Sequence, residues 1–282
     1  MNKLNNRVVL ITGASRGIGA AIAERFAAEG AQLALVARTL DAHDHLPGSL
    51  KETEALVKAS GGSAKSYVCD LCDANAREQL VDDVLADFGR VDVLVNNAAA
   101  NYFLPFEKIS SKRFDIMFDM NIRAPFDLCQ RLIPQMAERG EGWIVNISTA
   151  SAQHPEGPPF SHHDLNNHPM LYGMSKAALD RFSTGLAAEY FDRNIAVNAM
   201  APVGAVATPG AVALKMLPPQ RDMIEGVEVM AEAALYLSVC DPKTVTGRVC
   251  YSGELLESEG VPVKALDGKT AYDGFIEGVD TI

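Results

Sequence analysis

A tyrosine and a lysine four residues apart, Tyr172 and Lys176 in Tyr-Gly-Met-Ser-Lys, are the pair in this chain best suited to moving a proton. On a helix, positions i and i+4 share a face, so the ammonium stands beside the phenol and favours its ionised form. A free phenol titrates near ~10, too high for acid–base work at neutral pH, and a neighbouring cation is one way to lower it. The same spacing also occurs on amphipathic helices whose lysine simply lies along an apolar surface. A partner motif has to decide between the two.

That motif is Thr12-Gly-Ala-Ser-Arg-Gly-Ile-Gly19. The apolar, β-branched run Arg7–Ile11 before it reads as a buried strand, and Ala20–Glu29 after it reads as a helix ended by Gly30. Strand, glycine turn and helix make a phosphate cradle. Gly13 permits the tight turn, and Gly17 and Gly19 permit close approach of backbone to cofactor and of helix to strand. The helix N-terminus offers free N–H groups to a pyrophosphate. The spacing G-x-x-x-G-x-G differs from the G-x-G-x-x-G of the common dinucleotide fingerprint.

The elements that must position these groups alternate. Strands are predicted near 7–12, 32–37, 65–69, 91–95, 142–148, 194–200 and 247–251, with helical patterns between them. Ala31–Ala37, Val91–Val95 and Trp143–Ile147 are short and strongly apolar, as strands buried on both faces are. The expected fold is α/β, a doubly wound Rossmann-type parallel sheet with helices on both faces, in a single domain. In such sheets the ligand lies beyond the carboxyl ends of the strands, so the glycine turn, Asp70, Asn97, Thr149 and Thr208 are expected to converge on one crevice.

Composition agrees. The 282 residues, 48% of them hydrophobic, suffice for one large core. A formal net charge of -11 argues against binding nucleic acid or an anionic membrane. The absence of an N-terminal apolar leader and of any ~18-residue uncharged apolar stretch predicts a cytoplasmic protein with no membrane span. Five scattered cysteines (Cys69, Cys72, Cys129, Cys240, Cys250) fit reduced thiols, although Cys69 and Cys72 have C-x-x-C spacing. Four of the six histidines fall in His154 to His168, where His162, His163, Asp164 and His168 could be drawn as a metal site, but a polar segment rich in Pro, Asn and His reads more simply as solvated loop, and no metal is expected.

Over roughly its first 250 residues the chain resembles the classical short-chain dehydrogenase/reductase family, with five motifs in collinear order. The family's T-G-x-x-x-G-x-G stands at Thr12 to Gly19, its acidic strand end at Asp70-Leu71, its N-N-A-G at Asn96-Asn97-Ala98-Ala99, its helix asparagine at Asn121, and its Y-x-x-x-K at Tyr172 to Lys176. Two departures are visible: Ala99 replaces a glycine, and the usual Pro-Gly is Pro202-Val203-Gly204. The connection from Thr39 to Thr53 is similar to that of hydroxysteroid-dehydrogenase-like members, a likeness that says nothing about substrate.

The resemblance implies an oxidoreductase that interconverts a carbonyl and an alcohol, with Asn121, Thr149, Tyr172 and Lys176 catalytic. Tyr172 exchanges the proton, Lys176 lowers its pKa and holds the nicotinamide ribose, and Asn121 positions a water. Thr149 occupies the register of the carbonyl-polarising serine, with Ser148 and Ser151 as alternatives. Cofactor contacts are implied at Gly13, Ser15, Arg16, Gly17, Ile18, Gly19, Arg38, Asp70, Leu71, Asn97, Ala98, Tyr172, Lys176 and Thr208. Where relatives that prefer NAD carry an acid at the end of the second strand, this chain has Ala37 followed by Arg38. With Arg16 in the glycine turn, that favours NADP(H) over NAD(H), because a guanidinium suits a 2′-phosphate. The plainer reading of Arg38 is a solvated strand end.

The main domain is expected over 1–253, with substrate loops near 150–171 and 209–226, and a C-terminal extension over 254–282. Phe160, Met216 and Leu217 suggest an apolar small-molecule substrate. A homodimer or homotetramer built on the Asn121 and Tyr172 helices is a family expectation. Two other readings compete: a nicotinamide-nucleotide-binding protein without turnover, and a cofactor-retaining epimerase or dehydratase.

Overall fold

Every residue of Val8–Thr12 is buried, which a strand covered on both faces requires. Val9 and Ile11 face one apolar core and Val8 and Leu10 the other, the two-residue alternation of a pleated strand. In this computed structural model, which describes residues 2–41, 47–213, 217–276 and 279–280, nine strands occur. They are β1 (Val8–Thr12), β2 (Gln32–Ala37), β3 (Ser63–Val68), β4 (Val93–Asn96), β5 (Gly142–Ile147), β6 (Ile195–Ala201), β7 (Ala205–Val206), β8 (Ile224–Glu225) and β9 (Val249–Tyr251). Seven of them form one parallel sheet in the order β3-β2-β1-β4-β5-β6-β9, while β7 and β8 pair separately. The strand order reverses direction at β1, with β4 on its far side, and this switch point leaves the crevice that a ligand can enter. The doubly wound α/β expectation therefore holds.

The helices are α1 (Gly17–Ala27), α2 (Leu50–Ala59), α3 (Ala74–Phe88), α4 (Ser111–Phe118), α5 (Ala124–Arg139), α6 (His162–Asn166), α7 (Met170–Glu189), α8 (Pro209–Ala213), α9 (Val227–Val239) and α10 (Ser252–Ser258). Residues of α1, α2, α9 and α10 line the first core, and those of α3, α5 and α7 the second. Their ends follow local chemistry. Asp73 caps α3 by accepting from the N–H groups of Asn75 and Ala76, and left-handed Gly89 stops it. Between α4 and α5 the chain makes a π turn over Asp119–Arg123, the wider winding that displaces Asn121 from a regular helical position.

A buried ion cluster joins α1 to α9. Arg25 bonds Glu29 at 2.8 Å and Glu232 at 2.7 Å, and Glu29 also accepts from the Lys3 backbone N–H. Beyond α10 the chain folds back across this region, bringing Gly268 against Arg25, and Asp280 closes on Arg221 at 2.6 Å. Strand β3 starts two residues earlier than predicted, because Ser63 and Ala64 pair with Gln32 and Leu33. Met216, expected to mark the substrate wall, lies outside the described residues, as does 42–46 within the long connection after β2.

Candidate active site

The glycine turn is built so tightly that side chains are excluded from it. A Cβ on Gly19 would lie 2.3 Å from the Gly13 carbonyl oxygen and 2.5 Å from Asn97 Nδ2, and one on Gly13 would lie 2.8 Å from the same amide. Gly13 and Gly17 both adopt left-handed φ, at 68° and 56°. Asn97, just past β4, staples the turn: its Nδ2 donates to the carbonyls of Thr12 (2.9 Å) and Gly13 (3.2 Å). The Thr12 hydroxyl answers by accepting from the N–H groups of Asn97 and Ala98, each at 3.0 Å.

Arg16 stands at the N-cap of α1 without providing a side-chain cap, so the N-terminus of this helix keeps its donors for something else. These observations fit a dinucleotide pyrophosphate: a backbone cradle that any Cβ would fill, at a helix N-terminus carrying no acidic first-turn residue. Around it, Ser15 is buried, and the Thr208 methyl would touch a Cβ on Gly17 at 3.1 Å. Thr208 Oγ1 accepts from the Ala211 N–H and starts α8. The Arg16 guanidinium reaches the Gly48 carbonyl at 2.9 Å, while Arg38 is exposed at the end of β2. Asp70 is exposed and accepts from the Cys72 N–H, and buried Leu71 gives its carbonyl to Arg77.

Tyr172 and Lys176 follow one another by a turn near the start of α7. Lys176 is 1% exposed and its ammonium donates to the Ile147 carbonyl, at the end of β5, over 2.6 Å. Burial pulls its titration down to about 8, with Asp180 acting in the opposite direction. The Tyr172 phenol is pushed up to about 12 by burial, and its hydrogen bond with Thr149 works against that rise. The expected lowering of the phenol by the lysine is thus corrected for the protein alone: Nζ lies 6.0 Å from the ring centroid, and desolvation outweighs any help it gives.

Of the three hydroxyls considered for polarising a carbonyl, Thr149 is the one beside Tyr172. Its Oγ1 also accepts from the Ser151 N–H at the 3-10 turn Ala150–Ala152. Ser148 is buried and faces Asp180, the opposite direction that strand alternation predicts. Asn121 is fully buried and its amide is fully engaged: Oδ1 accepts from Ala100 N–H, and Nδ2 donates to Ala100 O and Ser175 Oγ, all at 2.9 Å. Ser175 in turn donates to the Tyr172 carbonyl at 2.7 Å.

Sequence reasoning missed Ser175, which couples Asn121 to the Tyr172 turn, and Phe103, whose ring meets Tyr172 edge-on at 5.6 Å. The position of Ser175 next to Lys176 was a usable signal; nothing local marked Phe103. Phe160 is exposed and rests on Gly157 rather than closing over Tyr172. Among the described residues no group of His, Cys, Asp or Glu could hold a metal, and all five cysteines are free. No described helix is long and apolar enough to cross a membrane.

A seven-stranded parallel sheet with a glycine cradle at its switch point defines the class of doubly wound, Rossmann-type α/β proteins. Within that class, the profile of the short chain dehydrogenase family matches residues 7–216, and this chain belongs to that family. Hydroxysteroid dehydrogenase-like protein 2 of Danio rerio is 32% identical over 263 residues, covering 92% of this chain and 60% of the relative. The Bos taurus protein of the same name is 33% identical over 267 residues, with 92% and 59% covered. The chain therefore spans about 60% of the length of these curated relatives. A short chain dehydrogenase of Mycobacterium thermoresistibile superposes with a TM-score of 0.80 at 29% identity, over 98% of this chain and 96% of the other. A metagenomic short-chain oxidoreductase solved with NADP gives a TM-score of 0.72 at 28% identity, over 88% and 97%.

Proposed function

We propose that this chain is an NADP(H)-preferring dehydrogenase/reductase that interconverts an apolar ketone or aldehyde with its alcohol. The observation that carries the reading is the Thr149 hydroxyl beside the Tyr172 phenol, with Lys176 held one turn away on the Ile147 carbonyl. Gly13, Ser15, Arg16, Gly17, Ile18, Gly19, Asp70, Leu71, Asn97, Ala98 and Thr208 would hold the dinucleotide, with Arg16 and Arg38 toward a 2′-phosphate. What the bound cofactor supplies is the hydride donor or acceptor.

The residues of the chain do the rest. Thr149 donates a hydrogen bond to the substrate oxygen, and Tyr172 gives that oxygen its proton in reduction or takes it in oxidation. The Lys176 ammonium favours the phenolate that this exchange leaves behind. Asn121, through Ser175 and the Tyr172 carbonyl, fixes the turn that carries the tyrosine. Phe103 offers an aromatic wall beside it, which supports the apolar substrate. Half-exposed Phe126 on α5 and Met174 on α7 support self-association into a homodimer or homotetramer through these helices.

Calorimetry with NADPH and NADH, run beside Arg38→Asp and a carbonyl panel read at the NADPH absorbance, tests the reading. Tight NADPH binding lost in Arg38→Asp, with turnover of an apolar carbonyl, is expected. NADH binding as tight as NADPH overturns the cofactor preference, and binding without turnover across the panel overturns the reductase in favour of a nucleotide-binding protein.

A further inference from the structure

A neutral carbonyl does not balance the charge of a buried ammonium, and a buried cation lacking an opposite charge is costly. Lys176 donates to the Ile147 carbonyl, so its counter-charge has to come from elsewhere. One turn further along α7, at i+4 on the same face, stands Asp180. Its Oδ1 is shut off from solvent and has no hydrogen-bond partner among the described residues. Ser148 Oγ faces the carboxylate from the end of β5 and lowers its titration, but it too closes no hydrogen bond of good geometry. Buried polar atoms left unpaired in this way call for an explanation.

A cavity of about 20 Å³, room for one water molecule, lies against the carboxylate, with Thr149, Gln153, Ala201 and Tyr251 among its walls. Asp180 and Thr149, the residue whose hydroxyl meets Tyr172, therefore line the same cavity.

The groups around Asp180 sort by element. Burial raises the Asp180 titration, and Ser148 from β5 and Lys176 from its own helix act against that rise. On β9, Asp180 acts on Cys250 and Tyr251, which also feel Glu254, and Cys250 feels Arg248 as well. Lys176 is the cation that acts on Asp180, and Asp180 is the charged group that acts on Lys176.

We propose that Asp180 is a positioning residue, the half-buried counter-charge that keeps Lys176 an ammonium and so sets the pH above which Tyr172 loses its cationic neighbour. The catalytic half of this rests on the Tyr172 and Lys176 roles given under Proposed function; the pairing of the two charges does not. Its sign is fixed: removing a negative charge beside a cation makes the cation easier to deprotonate. Two charges at the ~5–6 Å spacing typical of i,i+4 positions and an effective dielectric of ~20 shift each other's titration by about two units, so a downward shift of about one to two units is expected.

The test is an NMR titration of the Lys176 side chain in the full chain carrying 13C-labelled lysine, across pH 6–10, for wild type, Asp180→Asn, Asp180→Ser and Asp180→Glu, with Lys176→Met assigning the signal. This measures the lysine without requiring turnover. A midpoint lowered equally in the two neutral variants, which differ in size, and restored by Asp180→Glu supports the pairing. An unchanged midpoint in a folded neutral variant overturns it. With a substrate from the carbonyl panel, the alkaline limb of kcat must move down with the lysine midpoint in Asp180→Asn. A limb that stays in place, or a rate that falls equally at every pH, overturns the positioning role. A moved midpoint in a protein that turns over no carbonyl refutes the reductase reading and leaves the pairing standing.

Discussion

Gly19→Ala sets helix propensity against packing, and the structure says which wins. Gly19 is inside α1, where alanine is intrinsically better than glycine by roughly 0.5–1 kcal/mol. Yet the new Cβ would fall 2.3 Å from the Gly13 carbonyl oxygen and 2.5 Å from Asn97 Nδ2. Neither neighbour is the free end of a flexible chain, since the first is backbone and the second is pinned by two hydrogen bonds. Relieving the overlap costs roughly 1–3 kcal/mol in displaced backbone. Losing the two Asn97 bonds to the turn adds roughly 1 kcal/mol each.

The net expectation is a loss of about 2–4 kcal/mol after the propensity gain is taken off. For a chain of this length the unfolding entropy is on the order of 0.6 kcal/mol per degree, so Tm falls by about 3–7 °C. Gly253→Ala is the control: it lies in α10 with no atom within 4 Å of a built Cβ, and should gain at most about 1 kcal/mol. Thermal and urea melts of the two variants beside wild type decide the matter. If Gly19→Ala melts at or above the wild-type temperature, the account of the cradle as a close-packed backbone knot is wrong.

Further expectations follow from the buried charges and thiols. The Lys176 titration, lowered to about 8 by burial with Asp180 opposing, means that from about pH 8 to about 10.5 the unfolded chain holds a proton that the folded chain has lost, so stability rises with pH there. Below pH 8 the penalty is complete, on the order of 3 kcal/mol, so in urea melts wild type gains stability between about pH 8 and 10.5 and Lys176→Met does not; parallel pH profiles contradict this. Arg25→Met strands Glu29 and Glu232 in the core and should cost about 3–5 kcal/mol by urea denaturation. Burial raises Glu29, but the Lys3 N–H and the Arg25 guanidinium outweigh it and hold it below its ordinary value. Its contribution is therefore present above the unfolded value of about 4.3 and lost as pH falls through the folded one, and Glu29→Gln should flatten the acid limb of a stability profile. Burial raises all five thiols, so Ellman's reagent at pH 8 should react with native protein far more slowly than with the same protein in urea.

The sheet was legible because its strands are buried on both faces and so read as short apolar runs, as in Val8–Ile11 and Trp143–Ile147. The cradle was legible because only glycine tolerates its backbone. β7 and β8 were not: two-residue strands carry no pattern, and they pair because Gly204 lets the chain come against the Met223 carbonyl and Glu225 accepts from the Val203 N–H. That contact also accounts for the displaced glycine in Pro202-Val203-Gly204. The π turn at Asn121 and the environment of Asp180 depend on packing between elements far apart in sequence, which no local spacing announces. The pull of Lys176 on Tyr172 was read from helical geometry alone, and the burial that raises the phenol against it comes from packing that the local sequence does not show.

The staple that fixes the glycine turn also dictates when the turn can exist. Asn97 leaves the ribosome 85 residues after Thr12, and β1 has β4 as its neighbour at the switch point. At ~5–20 residues per second, the nascent glycine turn waits about 4–17 s before its staple has been made, and longer until that clears the exit tunnel. Throughout that interval Val8–Thr12 is an apolar segment lacking its β4 neighbour, so a chaperone that holds this segment would meet it before any nucleotide does.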